Sequence, residues 1–161
     1  STKGSTEFTF RVFSCSLGTQ VMSPENLSII CSGTFLLTGL MTGVWKFRQV
    51  QASPDHQAHP YVDIAHRAAL MYSFACIVLA EFAKRSPLSD LITLLCVLAP
   101  IVFFAVAIAA YIYHGLKRDT ENQFAEPGPL TIGSMYALIV AEIGGFGILF
   151  FAVAWDLIFL S

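Results

Sequence analysis

Histidine is the side chain in this sequence best suited to chemistry. His56 and His59 fall in a polar stretch, His66 opens an apolar stretch and His114 closes another. An imidazole can ligate haem iron, and copper or zinc also accept it. The sequence has no compact multi-ligand motif such as HExxH, so we predict no hydrolytic metal site. Alternatively, His56, His59 and His66 have no chemical role and lie at the membrane interface, where a histidine is tolerated among the lipid headgroups.

Two carboxylates lie inside apolar stretches, where an ionisable group is costly and is a functional candidate by default. Lys84 and Arg85 follow Glu81 closely, so we expect Glu81 to form an ion pair at the membrane interface. Glu142 lies nearer the middle of its stretch and must face the protein interior. Two alternatives follow for Glu142: a hydrogen bond to another helix, or a place in the lining of a pocket.

Tyr111 and His114 are three residues apart, so on a helix they share a face. The phenol of Tyr111 could donate a hydrogen bond to a substrate oxygen. The alternative is an amphipathic tyrosine that anchors its helix at the membrane interface.

The composition places these residues in a membrane protein. The 161 residues (17.6 kDa) are 55% hydrophobic and 12% charged, with a mean hydropathy of +0.67. These values lie outside the range of ordinary soluble domains. A net charge of −2 leaves no basic surface to grip a nucleic-acid backbone, which excludes nucleic-acid binding.

Four apolar stretches are long enough to cross a bilayer core of about 30 Å. They are Leu27–Trp45, Ala65–Ala83, Leu91–Leu116 and Leu130–Leu160. We therefore predict an all-α integral membrane four-helix bundle over residues 22–161. Residues 1–21 are mostly polar, and Met22 resembles a natural start, so we expect residues 1–21 to be a polar N-terminal extension, either native or a remnant added to the protein.

Basic residues in short loops indicate the orientation of the bundle, because Lys and Arg there tend to stay cytoplasmic. One side carries Lys46, Arg48, Arg67, Lys117 and Arg118, and the other carries Lys84 and Arg85. Lys3 and Arg11 join the second side if the extension is native, which weakens the asymmetry. We predict that the first and third loops are cytoplasmic and that His66 and His114 lie near the cytoplasmic face, in the inner membrane if the source is bacterial.

Small residues predict close helix packing in two places. The first helix has Gly39 and Gly43 on a stripe with Thr34, Thr38 and Thr42, and the fourth has Gly144, Gly145 and Gly147. The cysteines show no CxxC pair or regular spacing, so we expect neither a disulfide framework nor a zinc site.

Three pieces of the sequence resemble bacterial styrene oxide isomerase. They are Ile64-Ala65-His66-Arg67-Ala68, Tyr111, and Asn122-Gln123-Phe124 followed by Pro127-Gly128. The resemblance implies a small four-helix membrane enzyme, assembled as a homotrimer, that binds haem b through one axial histidine. In that family the ferric iron acts as a Lewis acid on an epoxide oxygen, and the opened ring rearranges to an aldehyde without net redox.

Within this resemblance, His66 corresponds to the ligating histidine and Tyr111 to the active-site tyrosine, at the same sequence separation. Tyr72 stands where the family has an asparagine, and Phe103 stands where it has an aspartate. We expect Tyr72 and Phe103 to line the haem and substrate pocket and to make it more aromatic than the family's. A different small apolar epoxide, or a different haem-ligand reaction, is then the expected activity.

Two alternatives remain open. The sequence also resembles, more weakly, the MAPEG proteins, trimeric four-helix membrane enzymes of eicosanoid and glutathione metabolism, in which a basic-Ala-His segment opens the second helix. Those enzymes bind glutathione through an arginine-rich clamp. This sequence would supply at most a partial equivalent of it, from Arg48, Arg67, Lys117 and Arg118. The other alternative is a non-enzymatic accessory subunit that packs against a larger membrane complex through its glycine and threonine stripes.

Overall fold

The computed structural model describes residues 22–123, 125 and 128–160, and their architecture is a bundle of four long helices. These are α1 (Pro24–Ala52), α2 (Pro60–Lys84), α3 (Asp90–Lys117) and α4 (Pro129–Phe159). Each is long and apolar enough to cross a membrane. The chain is therefore an all-α, multi-pass integral membrane protein, as predicted. The predicted extension, residues 1–21, lies outside the described residues.

The helices begin at residues suited to that position. Ser23 caps α1, its hydroxyl accepting a hydrogen bond from the backbone N–H of Asn26 at 3.2 Å. At the start of α2, the ring nitrogen Nδ1 of His59 accepts from the backbone N–H of Tyr61 at 3.3 Å. The first residue of α1, of α2 and of α4 is proline, whose fixed φ and missing N–H suit the first helical turn.

The first loop is much shorter than the sequence predicted. The first apolar stretch ends at Trp45, yet α1 continues through the more polar residues 46–52, and α2 already begins at Pro60. Polarity marks where a chain leaves the hydrocarbon, whereas a helix ends where its backbone bonding ends. The segment from Lys46 to Ile64, which separates the first two apolar stretches of the sequence, is therefore not all loop, and helical turns extend α1 and α2 beyond those stretches.

The predicted glycine contacts of α1 are confirmed. A Cβ on Gly39 would lie 2.7 Å from Leu70 of α2, and one on Gly43 would lie 2.8 Å from the ring of His66. The hydroxyl of Ser32 adds a hydrogen bond of 2.9 Å to the carbonyl of Ser73 on α2. The threonines of the stripe bond instead within α1: Thr34, Thr38 and Thr42 each donate to the carbonyl four residues earlier.

A second close approach joins α3 to α4. Pro100 is fully buried inside α3, and because proline has no N–H, the carbonyl of Cys96 lacks its usual helical donor. Gly145 of α4 packs against this carbonyl, where an added Cβ would lie 2.8 Å from the oxygen. A Cβ added at Gly144 or at Gly147 would meet no atom within 4 Å. Of the three glycines in this predicted cluster, only Gly145 therefore makes a close helix contact.

All four histidines lie at one end of the bundle, which we call the histidine end and which comprises the α1–α2 loop, the α3–α4 loop and the adjoining helix turns. The ring of Tyr61 is 5.2 Å from the ring of His114 and 6.1 Å from that of His59. The Tyr61 hydroxyl also accepts a hydrogen bond of 2.7 Å from the backbone N–H of Gln123 in the α3–α4 loop. The cytoplasmic location of this end stays a prediction.

Candidate functional site

The ring of His66 is fixed by the backbone of α1. Its Nδ1 lies 2.8 Å from the carbonyl oxygen of Gly39. A carbonyl only accepts, so Nδ1 carries the proton and Nε2 of the neutral ring keeps its lone pair. Histidines that ligate a metal through one nitrogen usually donate the other N–H to a carbonyl or carboxylate. Among the described residues Nε2 makes no hydrogen bond, so its lone pair is not engaged there.

Charged side chains surround the same turn of α2. Asp63 forms ion pairs with Lys46 of α1 at 2.5 Å and with Arg67 at 2.9 Å, and its charge also interacts with His66. In the part of the chain that the structure describes, no three His, Cys, Asp or Glu side chains are grouped to hold a metal ion.

Tyr111 and Phe103 line one cavity between α3 and α4, the Tyr111 cavity, of about 390 Å³. Its apolar wall comes largely from α3, and its other lining residues include Gln123, Thr131 and Ser134, which carry polar groups. A small apolar molecule with one oxygen could therefore meet both an apolar surface and hydrogen-bonding groups here. The predicted proximity of Tyr111 and Phe103 follows from their spacing of two helical turns.

The other two predicted site residues lie elsewhere in the chain. Tyr72 stacks on Phe104, with ring centroids 4.2 Å apart and planes 10° from parallel, and Phe104 belongs to the core rather than to the Tyr111 cavity. His66 faces α1 through its bond to Gly39. The structure thus places Phe103 and Tyr111 in the lining of one cavity, which neither Tyr72 nor His66 lines.

Glu142 lines a second cavity, the Glu142 cavity, of about 470 Å³ between α2, α3 and α4. Its Oε1 is buried and has no hydrogen-bond partner in the described structure. Of the two alternatives for Glu142, the structure therefore favours a place in a pocket lining over a bond to another helix. The carboxylate is also within electrostatic range of the phenols of Tyr72 and Tyr111. Glu81, in contrast, pairs with Arg85 as predicted.

A third cavity, the loop cavity, lies at the histidine end and measures about 690 Å³. Arg48 and Arg118 both line it, together with the acidic Asp55 and Glu121. Hydrogen bonds from the Ser53 hydroxyl and the Gln57 backbone hold the pKa of Asp55 below its ordinary value. Acidic and basic groups are therefore mixed here, and the cavity is only weakly suited to an anion.

The other two cations proposed for a glutathione clamp are engaged elsewhere. Arg67 pairs with Asp63, and the Lys117 ammonium lies 4.6 Å from the centre of the Tyr113 ring. Two of the four cations thus converge on the loop cavity.

Tyr61 connects the residues of the histidine end, and sequence analysis missed it. It is 3% exposed, and its ring lies 6.1 Å from that of Tyr111 and next to that of His114. His114 in turn donates from Nδ1 to the Asp119 carboxylate at 2.8 Å. This hydrogen bond, with the charge of His114, lowers the pKa of Asp119. A tyrosine after a proline gives no sequence signal of such a position, because its partners are about 50 to 60 residues away in the chain.

In comparisons with known proteins, no family model, no curated protein and no solved structure matches the chain. Of the segments that carry the family resemblance, Phe124 and Pro127 lie outside the described residues. The functional argument therefore depends on the chemistry of His66, Tyr111 and the cavities themselves.

Proposed function

We propose that the chain is a haem-b-binding membrane isomerase similar to styrene oxide isomerase, in which His66 Nε2 would bind the iron. The observation that carries this proposal is the hydrogen bond from His66 Nδ1 to the Gly39 carbonyl. It selects the ring nitrogen that is free to bind iron and orients the ring, as the outer partners of metal-ligating histidines do.

The residues beside His66 also suit a bound haem. Gly43 has no Cβ, and the ring of His66 lies against that position, so ring and helix can be this close only with glycine there. Lys46 and Arg67 lie on the turns beside His66 and would pair with the two propionates of haem b. Asp63, which pairs with both cations in this structure, would then share them with the propionates.

The proposed substrate is a small apolar epoxide, which rearranges to a carbonyl compound. Bound ferric haem supplies a Lewis acid for the epoxide oxygen. Tyr111 would donate a hydrogen bond from its phenol to that oxygen and orient it, and the apolar wall that includes Phe103 would hold the hydrocarbon part and exclude water. No residue needs to gain or lose electrons in this reaction.

The proposed site needs more than one copy of the chain. His66 faces α1, whereas Tyr111 lines a cavity between α3 and α4, so the two do not face one substrate within a single chain. A homotrimer, as implied by the family resemblance, would allow the His66 surface of one copy to meet the Tyr111 cavity of the next. We include this homotrimer in the proposal.

The test is an ultraviolet–visible spectrum of the protein purified in detergent, air-oxidised and then reduced with dithionite. We expect a Soret band that shifts on reduction and is lost in His66→Ala, but is retained in His56→Ala, whose histidine is exposed in the first loop. Full haem stoichiometry in His66→Ala would overturn the proposal. Aldehyde formation from a panel of apolar epoxides, compared between wild type and Tyr111→Phe, then tests the reaction.

A glutathione-dependent enzyme of the MAPEG type is the second candidate, favoured by the convergence of Arg48 and Arg118 on the loop cavity. Such an enzyme would be colourless and would unfold at higher temperature with glutathione, because a ligand of the folded state stabilises it. Arg48→Gln should remove that shift. A colourless protein that glutathione does not stabilise, but that copurifies with a larger complex, would favour the accessory subunit instead.

A further inference from the structure

We propose that the Glu142 cavity is a second binding site, for a membrane-soluble molecule that joins an apolar body to one protonated amine. The cavity is separate from His66, and this inference does not depend on haem. Its two components are the apolar wall and a single carboxylate, and each selects one part of the ligand.

The wall fits the apolar body of the ligand. Phe104, Phe146 and Phe150 come from two helices, and Pro100 and Leu79 complete the inner surface. Phe146 also forms a T-shaped ring contact with Phe82 of α2, with centroids 5.4 Å apart, which supports one side of the cavity. The volume of about 470 Å³ lies within the range of roughly 300–1,000 Å³ that is usual for small-molecule pockets.

The carboxylate fits the amine. Glu142 Oε1 is buried without a partner among the described residues, and the basic side chains described there form no ion pair with Glu142. Burying a carboxylate in an apolar environment is expensive unless a counter-charge or several donors compensate for it. The described residues provide neither, so a cationic group of the ligand would complete this site.

An amine is favoured over a neutral hydroxyl for two reasons. An ammonium forms a charge-assisted hydrogen bond with a carboxylate, which is roughly twice as strong as a neutral one. The lining also contains phenylalanine faces, which attract a cation but not an alcohol. Glu142 also interacts electrostatically with the phenols of Tyr72 and Tyr111, which carry no positive charge.

The ligand would enter from the bilayer. Val78 and Ile143 line the cavity and are 45% and 70% exposed, on helices whose outer surfaces would face lipid. An amphiphilic amine partitions into that environment, so its local concentration there exceeds that in water.

The experiment is calorimetric titration of the full chain in phosphatidylcholine nanodiscs, with empty nanodiscs as the reference. The probe is 4-phenylbutylamine, and 4-phenylbutan-1-ol is its neutral counterpart. Glu142→Gln removes the charge while preserving the shape. Gly147→Val adds a side chain to the cavity lining, at a position where an added Cβ meets no atom within 4 Å. Glu81→Gln removes a carboxylate that is paired with Arg85 and serves as the matched control.

We expect saturable binding of one amine per chain, at least tenfold weaker binding of the alcohol, and at least tenfold weaker amine binding in both Glu142→Gln and Gly147→Val. Glu81→Gln should bind as the wild type does. Equal heats for Glu142→Gln and wild type would overturn the proposal, since they mean simple partitioning or occupation by lipid. Equal affinity for the amine and the alcohol would also overturn it, because then the charge plays no part.

Discussion

His66 Nδ1 lies 2.8 Å from the carbonyl oxygen of Gly39, so α1 determines which nitrogen of a side chain on α2 is free. The same helix makes room for the ring, because Gly43 one turn later presents no Cβ to it. The glycine stripe of α1 thus has a role beyond helix packing. It sets the tautomer and the position of the residue that we propose as a metal ligand.

Replacing Gly43 with alanine should weaken haem binding. The new Cβ would lie 2.8 Å from the Cε1 atom of His66, so the ring must move and its bond to Gly39 must lengthen. Removing or displacing the hydrogen-bond partner of a metal-ligating histidine typically weakens metal binding by about 10- to 100-fold. Haem titration of the apoprotein measures this loss. Gly33→Ala, which adds a Cβ in open space on the same helix, should bind haem normally; equal affinities in the two variants would contradict the prediction.

Replacing Gly145 with alanine should destabilise the bundle. An added Cβ would lie 2.8 Å from the Cys96 carbonyl oxygen, a backbone atom that cannot rotate away, so α3 and α4 must separate. Overpacking of this kind costs about 1–3 kcal/mol. Denaturant titration in mixed micelles measures the change in the free energy of unfolding. Gly144→Ala is the matched control, since its Cβ meets no atom within 4 Å, and a loss there as large as at Gly145 would contradict the packing argument.

Acidification should reveal the bond between His114 and Asp119. The pKa of Asp119 is lowered from its ordinary 3.8, first by the hydrogen bond from His114. A lowered native pKa means that the ionised form stabilises the fold above about pH 3.8, and that this contribution is lost as the pH falls through the native pKa. In His114→Gln, carboxyl ¹³C NMR should show the pKa of Asp119 returning toward 3.8. An unchanged value would contradict the assignment.

The orientation predicted from the basic residues can be tested by labelling. In a cysteine-free background, Gln57→Cys probes the α1–α2 loop and Pro87→Cys probes the α2–α3 loop, and both positions are exposed. We expect an impermeant maleimide to label Pro87→Cys in intact cells and Gln57→Cys only after permeabilisation, because the histidine end carries most of the described basic residues. The reverse pattern would place His66 and His114 on the outer side.

Sequence predicted what depends on local pattern. Apolar length gave the four spans, the spacing of Gly39 and Gly43 gave a close helix contact, and the cations after Glu81 gave its ion pair. The first loop was predicted too long because polarity changes at Trp45 while the helix continues to Ala52.

What sequence could not provide is which faces meet. A pattern of residues along α2 does not say that His66 turns toward α1 while Tyr72 turns toward α3. These directions follow from how the helices pack, and the same holds for the cavity beside Glu142. The position of Glu142 inside a span marked it as a functional candidate in the sequence. That its Oε1 is buried without a hydrogen-bond partner depends on how the helices pack, which the sequence does not show.

Tyr61 should anchor the α3–α4 loop, and its hydroxyl should be the reason. The hydroxyl accepts a hydrogen bond of 2.7 Å from the backbone N–H of Gln123. Gln123 also lines the Tyr111 cavity. Tyr61→Phe keeps the buried ring beside His114 and removes only the acceptor. The expected loss of stability is about 0.5–1.5 kcal/mol, the usual net contribution of one hydrogen bond.

Hydrogen exchange gives the sharper test of that bond. In Tyr61→Phe the Gln123 amide should exchange faster, whereas amides in the middle of α3 should keep their wild-type protection, because the loop opens locally rather than through global unfolding. Tyr136→Phe, which removes a hydroxyl from an exposed position on α4, is the control and should leave both unchanged. Equal protection of Gln123 in wild type and Tyr61→Phe would mean that the loop is held by other contacts, and that Tyr61 serves only as a packing element between Tyr111 and His114.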